Sequence, residues 1–327
     1  MRAIVITRPG GSEVLEQHDR PTAEPGLGQI RVRVRASALN RADLLQRRGA
    51  YPAPAGAPVD IPGIEYAGEV DALGPDTNLW PAGMRVMGII GGGAHAEYVC
   101  VHEREAIPVP SSLSWEAAAA IPEVFLTAYD ALFHRLHVHS GDRVLIHAIG
   151  SGVGTAALQL AQVAGATVIG TSRTAEKLAK ARELGLTIGI DTSRGDWVSG
   201  IASLTGDEGV DAIVDLVGGN FLAGNITVLA RHGRLVFVGT TAGARAELNL
   251  SAVMSKRLRI VGTVLRSRPI EEKIALAREF SDRMLPLFES GRLRPVVDRV
   301  FPFEEIGAAH ELMESNATFG KVVLRWD

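Results

Sequence analysis

In the first hundred residues the apolar positions alternate with polar ones. Arg31-Val-Arg-Val-Arg35 has one residue type on each side, the pattern of a strand with one buried and one wet face. Glu69–Leu73 and Ala96–Val101 also read as strands, and Met1-Arg-Ala-Ile-Val-Ile predicts a short strand at the start. Pro52, Pro54, Pro58, Pro62 and the run Gly91-Gly92-Gly93 interrupt the spaces between them. This part therefore predicts a small, irregular β domain with loops.

The texture changes near Ala117. Val144-Leu-Ile-His147 is a continuous apolar run, as expected of a strand covered on both faces. Further strands are predicted at Thr167–Thr171, Ile188–Asp191, Ala212–Val217, Arg234–Val238 and Arg259–Gly262. Helical segments at Val153–Ala164 and Ala175–Leu184 fall between them, the second stopped by Gly185. Strands alternating with helices predict an α/β class with a doubly wound, parallel, six-stranded sheet. The tail adds a long helix (Ile270–Glu289), a strand near Pro295–Phe301, a short helix (Glu304–Glu314) and a last strand (Gly320–Arg325), and suits a return to the first domain.

One turn in this pattern carries chemistry. A buried strand runs into Gly150-Ser-Gly-Val-Gly154 and then a helix. Glycines there let the backbone approach a pyrophosphate, and the helix N-terminus attracts the anion. Thr155 breaks the strict G-x-G-x-x-G spacing, so the signal rests on its place between strand and helix. NAD-binding versions carry an acid at the end of the next strand, which holds the ribose 2′-hydroxyl. Here Ser172 and Arg173 stand there, with Lys177 one turn further on. A hydroxyl and two cations suit a 2′-phosphate, so the cofactor expected is NADPH.

Composition narrows the classes. The 327 residues allow two domains. With 46% hydrophobic and 22% charged residues and a mean hydropathy of +0.13, the chain can fill packed cores and is not intrinsically disordered. A net charge of −3 argues against a nucleic-acid partner. The single Cys100 excludes an intramolecular disulfide and a Cys-rich zinc site. No apolar run reaches the roughly 18–20 residues of a membrane span, and the N-terminus does not read as a signal peptide. A reducing, cytoplasmic setting without membrane partners is the expectation.

Eight segments give the chain a family resemblance: Ser37–Leu44 (Ser-Ala-Leu-Asn-Arg-Ala-Asp-Leu), Gly63–Gly68, Gly91–Tyr98, Ala118–Glu123, Leu126–Ala128, Gly150–Thr155, Leu265–Arg268 and Gly320–Leu324. Through them the chain resembles the zinc-independent quinone oxidoreductases of the medium-chain dehydrogenase/reductase superfamily, most of all the stress-inducible subgroup. The resemblance implies a GroES-like catalytic domain from residues 1–120 and 265–327, a Rossmann domain from 121–264, and an active site in the cleft between them. It implies a homodimer or homotetramer paired through the Rossmann edge strand, here around Leu258 to Val264. Zinc-dependent relatives place a Cys at the position of Asn40 and a His at that of Ile64, so no metal is expected. Alcohol oxidation needs a Lewis acid to stabilise the alkoxide, whereas an electron-poor quinone accepts hydride without one.

The same resemblance supplies site residues. Asn40 would donate a hydrogen bond toward nicotinamide and substrate, and Tyr51 would wall the substrate pocket or donate a proton. Ser151, within Gly150, Ser151, Gly152, Val153 and Gly154, would touch the cofactor and bridge to the substrate. Thr127 would bind near the nicotinamide ribose or phosphate. Val217 and the strand-end residues Phe237, Val238 and Gly239 would lie by the nicotinamide ring, as the switch-point rule suggests. Leu265, Ser267, Phe319, Gly320 and Lys321 would close over the cofactor. Relatives carry a Tyr where this chain has Thr192, near the 2′-phosphate, which implies a weaker NADPH preference with Arg173 compensating. His134, His137 and His139 do not match a zinc spacing. His95 reads as a loop packing residue, Glu65 as structural, and Cys100 as a small core residue.

These readings favour an NADPH-dependent quinone reductase. A reductase of activated C=C bonds in enals or enones is the alternative, distinguished by a proton donor for which Tyr51 is the candidate. A nucleotide-gated binding protein of the kind some relatives have become, as RNA binders or lens crystallins, is a lesser one.

Overall fold

The opening apolar run forms β1 (Arg2–Ile6), paired antiparallel with β2 (Leu15–Asp19). Ten residues of alternating burial form β3 (Gln29–Ala38). Helix α1 (Arg41–Arg47) follows at once, started by Asp43, whose carboxylate accepts the Asn40 N–H at 2.7 Å. Next come β4 (Glu65–Leu73), β5 (Arg85–Ile89), β6 (Tyr98–His102), the short β7 (Ile107–Pro108) and helices α2 (Trp115–Ala119) and α3 (Pro122–Tyr129). The computed structural model describes residues 1–326 and divides into two units, Met1–Leu126 with Leu265–Asp327, and Thr127–Val264.

The second unit alternates strand and helix: β8 (Arg143–Ile146), α4 (Gly152–Val163), β9 (Thr167–Ser172), α5 (Ala175–Glu183), β10 (Ile188–Asp191), α6 (Trp197–Thr205), β11 (Val210–Asp215), α7 (Phe221–Val228), β12 (Leu229–Phe237), α8 (Leu250–Lys256) and β13 (Arg259–Gly262). Its sheet runs β10-β9-β8-β11-β12-β13, and every pairing is parallel. Chain order reverses between β8 and β11, the switch point where such sheets bind dinucleotides. Leu145, Ile169, Ile213 and Leu235 belong to the core on one face of this sheet, with Ile201, Leu222 and Ile226 from the covering helices.

The chain then supplies α9 (Ile270–Glu289), β14 (Val297–Pro302), α10 (Ile306–Glu314) and β15 (Lys321–Arg325) to the first unit. β15 pairs antiparallel with β3, and β14 pairs parallel with β15, so the tail extends the sheet of the first domain. Phe303 stacks on Trp326 in the core beneath, with Ile30, Val32 and Val34 of β3. One expectation fails on this sheet. Cys100 is half-buried on the wetter face of β6 and not in the core, its Sγ 3.6 Å from the Ala23 carbonyl. Among the described residues no helix is long and apolar enough to cross a membrane.

Candidate active site

The glycine turn before α4 is shaped by its backbone. Ser151 is the N-cap of α4, its Oγ accepting the Gly154 N–H at 3.0 Å. A Cβ on Gly154 would sit 2.5 Å from the Ala148 carbonyl oxygen and 2.7 Å from that of Ile149, so the helix can start this close to β8 only with glycine there. Gly152 and Val153 form the first turn of α4, where N–H groups and the helix dipole favour an anion.

At the end of β9, Ser172 is buried and its Oγ accepts the Thr174 N–H at 3.2 Å, while Arg173 is exposed and Lys177 half-buried in the first turn of α5. Thr192 lies beside them and donates its hydroxyl to the Ser172 carbonyl at 3.2 Å. The structure adds a residue the sequence reading passed over. Asp191 pairs in register with Ser172 and brings a carboxylate to the same sheet edge, where Oδ1 accepts both the N–H and the hydroxyl of Ser193.

Behind the turn a buried polar chain fixes the loops. Asp215, the last residue of β11, accepts the Val217 and Gly218 N–H groups on Oδ1 and Asn225 Nδ2 on Oδ2. Its backbone carbonyl accepts Val238 and Gly239. Because Asn225 Nδ2 is committed to Asp215, Asn225 Oδ1 takes the proton of His147 Nε2 at 2.7 Å, and His147 Nδ1 accepts from the Thr171 hydroxyl at 2.9 Å. Burial holds His147 below the ordinary histidine value, hence neutral. One acid thus holds Val217, Val238 and Gly239 at the carboxyl ends of β11 and β12, and Phe237 ends the latter strand.

In the first unit, Asn40 and Lys321 are buried and bonded to one another. Lys321 Nζ donates to the Leu39 carbonyl (2.6 Å) and Asn40 Oδ1 (2.7 Å) and pairs with Glu65 Oε1 (2.7 Å), which uses all three of its donors. Asn40 Nδ2 donates to Glu65 Oε1 at 2.8 Å and to the Ala38 carbonyl at 3.3 Å. Glu65 Oε2 accepts the Glu123 N–H at 2.8 Å. Burial raises the Glu65 carboxyl above its usual value, and Lys321 opposes that most strongly. This donor set does not fit a divalent zinc ion. Where zinc relatives have Cys and His, the chain has Asn40 and Ile64, and an ammonium stands between the amide and the carboxylate. Among the described residues no group of three or more His, Cys, Asp or Glu side chains could hold a metal.

A second buried group lies beside this one. Asp43 Oδ1 accepts Gly63 N–H at 3.0 Å, and His95 Nε2 stands 3.9 Å from Asp43 Oδ2. Gly63 has φ +94° and a Cβ there would strike His95. Ser37 Oγ joins His95 Nδ1 and the Trp326 indole N–H, both at 2.9 Å. Burial pushes His95 down to about 3. Tyr51 is half-buried and stacks on Arg266, which sequence reading missed although it sits inside the Leu265–Arg268 segment. Leu265 and Phe319 are buried and Ser267 is exposed. Thr127 is buried in α3.

Comparison with known proteins gives two family models in tandem. The alcohol dehydrogenase GroES-like domain matches residues 26–111, and the zinc-binding dehydrogenase model matches residues 152–282. The synaptic vesicle membrane protein VAT-1 homolog of Homo sapiens is 33% identical over 99% of this chain and 86% of its own length. The quinone oxidoreductase of Pseudomonas aeruginosa is 33% identical over 96% of each. Among solved structures, an NAD-dependent alcohol dehydrogenase superposes with a TM-score of 0.88 at 35% identity, covering 100% of both chains. The CurK enoyl reductase gives 0.88 at 28% identity, covering 99% and 98%.

Proposed function

Because the chain belongs to the quinone oxidoreductase family of the medium-chain dehydrogenase/reductase superfamily, we propose that it is an NADPH-dependent quinone reductase that works without a metal. The observation that carries this reading is Lys321, whose ammonium lies 2.7 Å from both Asn40 and Glu65, at positions that zinc relatives give to metal ligands or their neighbours. With a cation of its own there, the site has no Lewis acid for an alkoxide, and an electron-poor carbonyl is the acceptor that does without one.

The residues divide the work as follows. Gly150, Ser151, Gly152, Val153 and Gly154 bind the pyrophosphate through N–H groups at the start of α4. Ser172, Arg173 and Lys177 bind the 2′-phosphate, and Thr192 supports Ser172. Asp191 adds a negative charge at this end, so the preference for NADPH over NADH is modest. When bound, the nicotinamide cofactor supplies the hydride. Val217, Phe237, Val238 and Gly239 hold the ring's position through Asp215, and Thr127, Leu265, Ser267 and Phe319 line the remainder. Tyr51 walls the quinone and carries the proton that can reach the reduced oxygen. Asn40 and Lys321 orient the backbone around the site from behind.

The test is the initial rate of NADPH oxidation with 1,2-naphthoquinone in the presence of EDTA, with NADH in parallel. A rate that survives EDTA and favours NADPH is expected. Equal rates with NADH would remove the phosphate pocket, and no turnover would remove the quinone reading. The likeness to the CurK enoyl reductase favours a second reading, reduction of a C=C bond conjugated to a carbonyl. Under it a Tyr51→Phe variant keeps quinone turnover and loses that with an enone. We propose further that two copies pair through β13, which has a strand neighbour on one side only, flanked by exposed Leu250 and Met254 on α8. Light scattering after size exclusion should give twice or four times 34.8 kDa.

A further inference from the structure

Arg266 is a buried cation with no carboxylate in direct contact, although the buried Asp43 and, more weakly, Glu123 act on it through space. Its side chain lies in the first unit, and the residue is 5% exposed. Among the described residues no carboxylate lies within ion-pair distance of it. Its hydrogen-bond partners are neutral and come from two stretches of sequence, Gln46 with Tyr51 and, forty residues on, Gly91. Nε donates to the Gly91 carbonyl at 2.7 Å, Nη2 to Gln46 Oε1 at 2.6 Å, and Nη1 reaches the Tyr51 carbonyl at 3.4 Å. The guanidinium carbon stands 5.0 Å from the centroid of the Tyr51 ring. A buried charge held by neutral groups, with its counter-charges only at longer range, is costly to a fold and calls for a reason.

The segment it grips is tied down at its far end, where Asp60, Ile61 and Pro62 accept backbone N–H groups, but residues 51–58 make few such bonds. Between α1 and β4 the chain runs through Pro52, Pro54, Pro58 and Pro62 without a helix or strand, and Ala57 N–H to the Pro54 carbonyl is one of its few internal bonds. Tyr51 is the aromatic residue of that segment. Gln46, at the end of α1, is itself buried, and its Nε2 reaches the Val59 carbonyl at 3.3 Å. Arg266 therefore closes a ring: α1, the Tyr51 loop, and the loop after β5.

We propose that Arg266 is a positioning residue for Tyr51, holding its loop and setting a positive charge against the phenol so that its hydroxyl delivers the proton that completes substrate reduction. This rests on the oxidoreductase reading above. In the step, the O–H bond of Tyr51 breaks and the proton joins the product's anionic oxygen, or the α-carbon of an enolate. The electron pair of the broken bond stays on the phenolate, and solvent water returns the proton. The positive charge stabilises that transient phenolate. Burial raises the Tyr51 phenol above its ordinary value, with Glu123 adding to this and Arg266 opposing it.

The experiment is a double-mutant cycle with Tyr51→Phe and Arg266→Lys, the latter keeping the charge but losing the planar fork. Turnover is read with 1,2-naphthoquinone and with an aliphatic enone, and NADPH affinity by fluorescence. Arg266→Lys should lower kcat, by less than the roughly 10²- to 10⁴-fold that loss of a positioned proton donor costs. It should leave NADPH affinity unchanged and add nothing further in the Tyr51→Phe background. Effects that multiply, or a change confined to KM, would overturn the assignment. Hydrogen exchange of residues 47–57 in Arg266→Lys gives a second readout, independent of turnover. Faster exchange confined to that loop is expected, and unchanged exchange would overturn the clasp. If the wild type reduces neither substrate, the oxidoreductase reading fails, and the exchange result still decides whether Arg266 orders the loop.

Discussion

The Asn40 cluster of the first unit and the glycine turn of the second hold their polar groups with different materials. In the second, the turn at Gly150–Gly154 is backbone, and side chains such as Ser151 and Asp215 serve by satisfying main-chain N–H groups. In the first, side chains hold one another: Lys321 reaches Asn40 across 281 positions of sequence, and Trp326 reaches Ser37 across 289. A site built from backbone depends on local spacing and on glycine. A site built from side chains depends on long-range pairing, and each member left alone becomes a buried unpaired group. The units should therefore fail differently when altered.

The largest effect belongs to the first unit. Lys321→Met leaves the Glu65 carboxylate buried with the Asn40 amide and the Glu123 N–H but without its cation. Breaking a buried pair in this way costs about 3–5 kcal/mol. Urea unfolding should show that loss, and hydrogen exchange should place it in β3, β4 and β15. A Lys321→Met, Glu65→Leu double variant should recover most of it, because the stranded charge is gone. A single variant as stable as wild type would mean that Glu65 is already neutral and the pair is no support.

In the second unit the counterpart is Gly154→Ala. The added methyl carbon would lie 2.5 Å from one carbonyl oxygen and 2.7 Å from another, and neither can swing away. Overpacking of this kind costs about 1–3 kcal/mol. Here the cost should fall on α4's first turn, so NADPH affinity should drop about tenfold or more while the first unit keeps its stability. Unchanged affinity would mean that the pyrophosphate does not lie on this turn.

The contrast also explains what the sequence discloses. The six parallel strands are visible because each is a short, continuous apolar run followed by a turn, and the glycine turn because its spacing is local. Ser172, Arg173 and Lys177 follow from counting along that pattern. Helix α7 (Phe221–Val228) is apolar on most sides, so it carries no face-specific period. Helix α1 is only seven residues long. The pairing of Asn40 with Lys321 has no local signal, because nothing near position 40 indicates that the tail returns beside β3. Arg266 was hidden for a related reason: beside Arg268 in a polar stretch, it reads as a surface cation until the structure shows it buried.

Acid should separate the units by a smaller margin. A neutral, buried histidine has a folded pKa below its unfolded value of about 6.5, so the folded state binds fewer protons. Its stabilisation is complete above about 6.5 and is lost as pH falls below that value. In the second unit His147 acts in this way. In the first, His95, pushed down to about 3, and His310 act with the same sign. Asp43 and Glu65, raised by burial, act with the opposite sign below their folded values, since acid relieves them. Stability should fall by on the order of 1.4 kcal/mol per pH unit per histidine where nothing offsets it. His147→Gln should flatten the fall in urea stability between pH 6 and 5 by about one proton's worth. An unchanged slope would mean that His147 is already charged in the folded protein.

The smallest effect is the sharpest test of whether the second site is backbone alone. Ser151 caps α4 through the Gly154 N–H. Ser151→Ala should cost about 1 kcal/mol of stability, as N-cap removals do. Ser151→Asp keeps an acceptor for the same N–H, so it should restore that stability while placing a negative charge at the proposed pyrophosphate site. Stability and NADPH affinity should then part company: Ser151→Asp stable and weakly binding, Ser151→Ala less stable and losing less affinity. If the two variants instead lose affinity equally, the serine hydroxyl is itself a ligand of the cofactor, and the second site uses side chains after all. If both bind as tightly as wild type, the anion lies elsewhere on the sheet, and the glycine turn is only a way of bringing α4 close to β8.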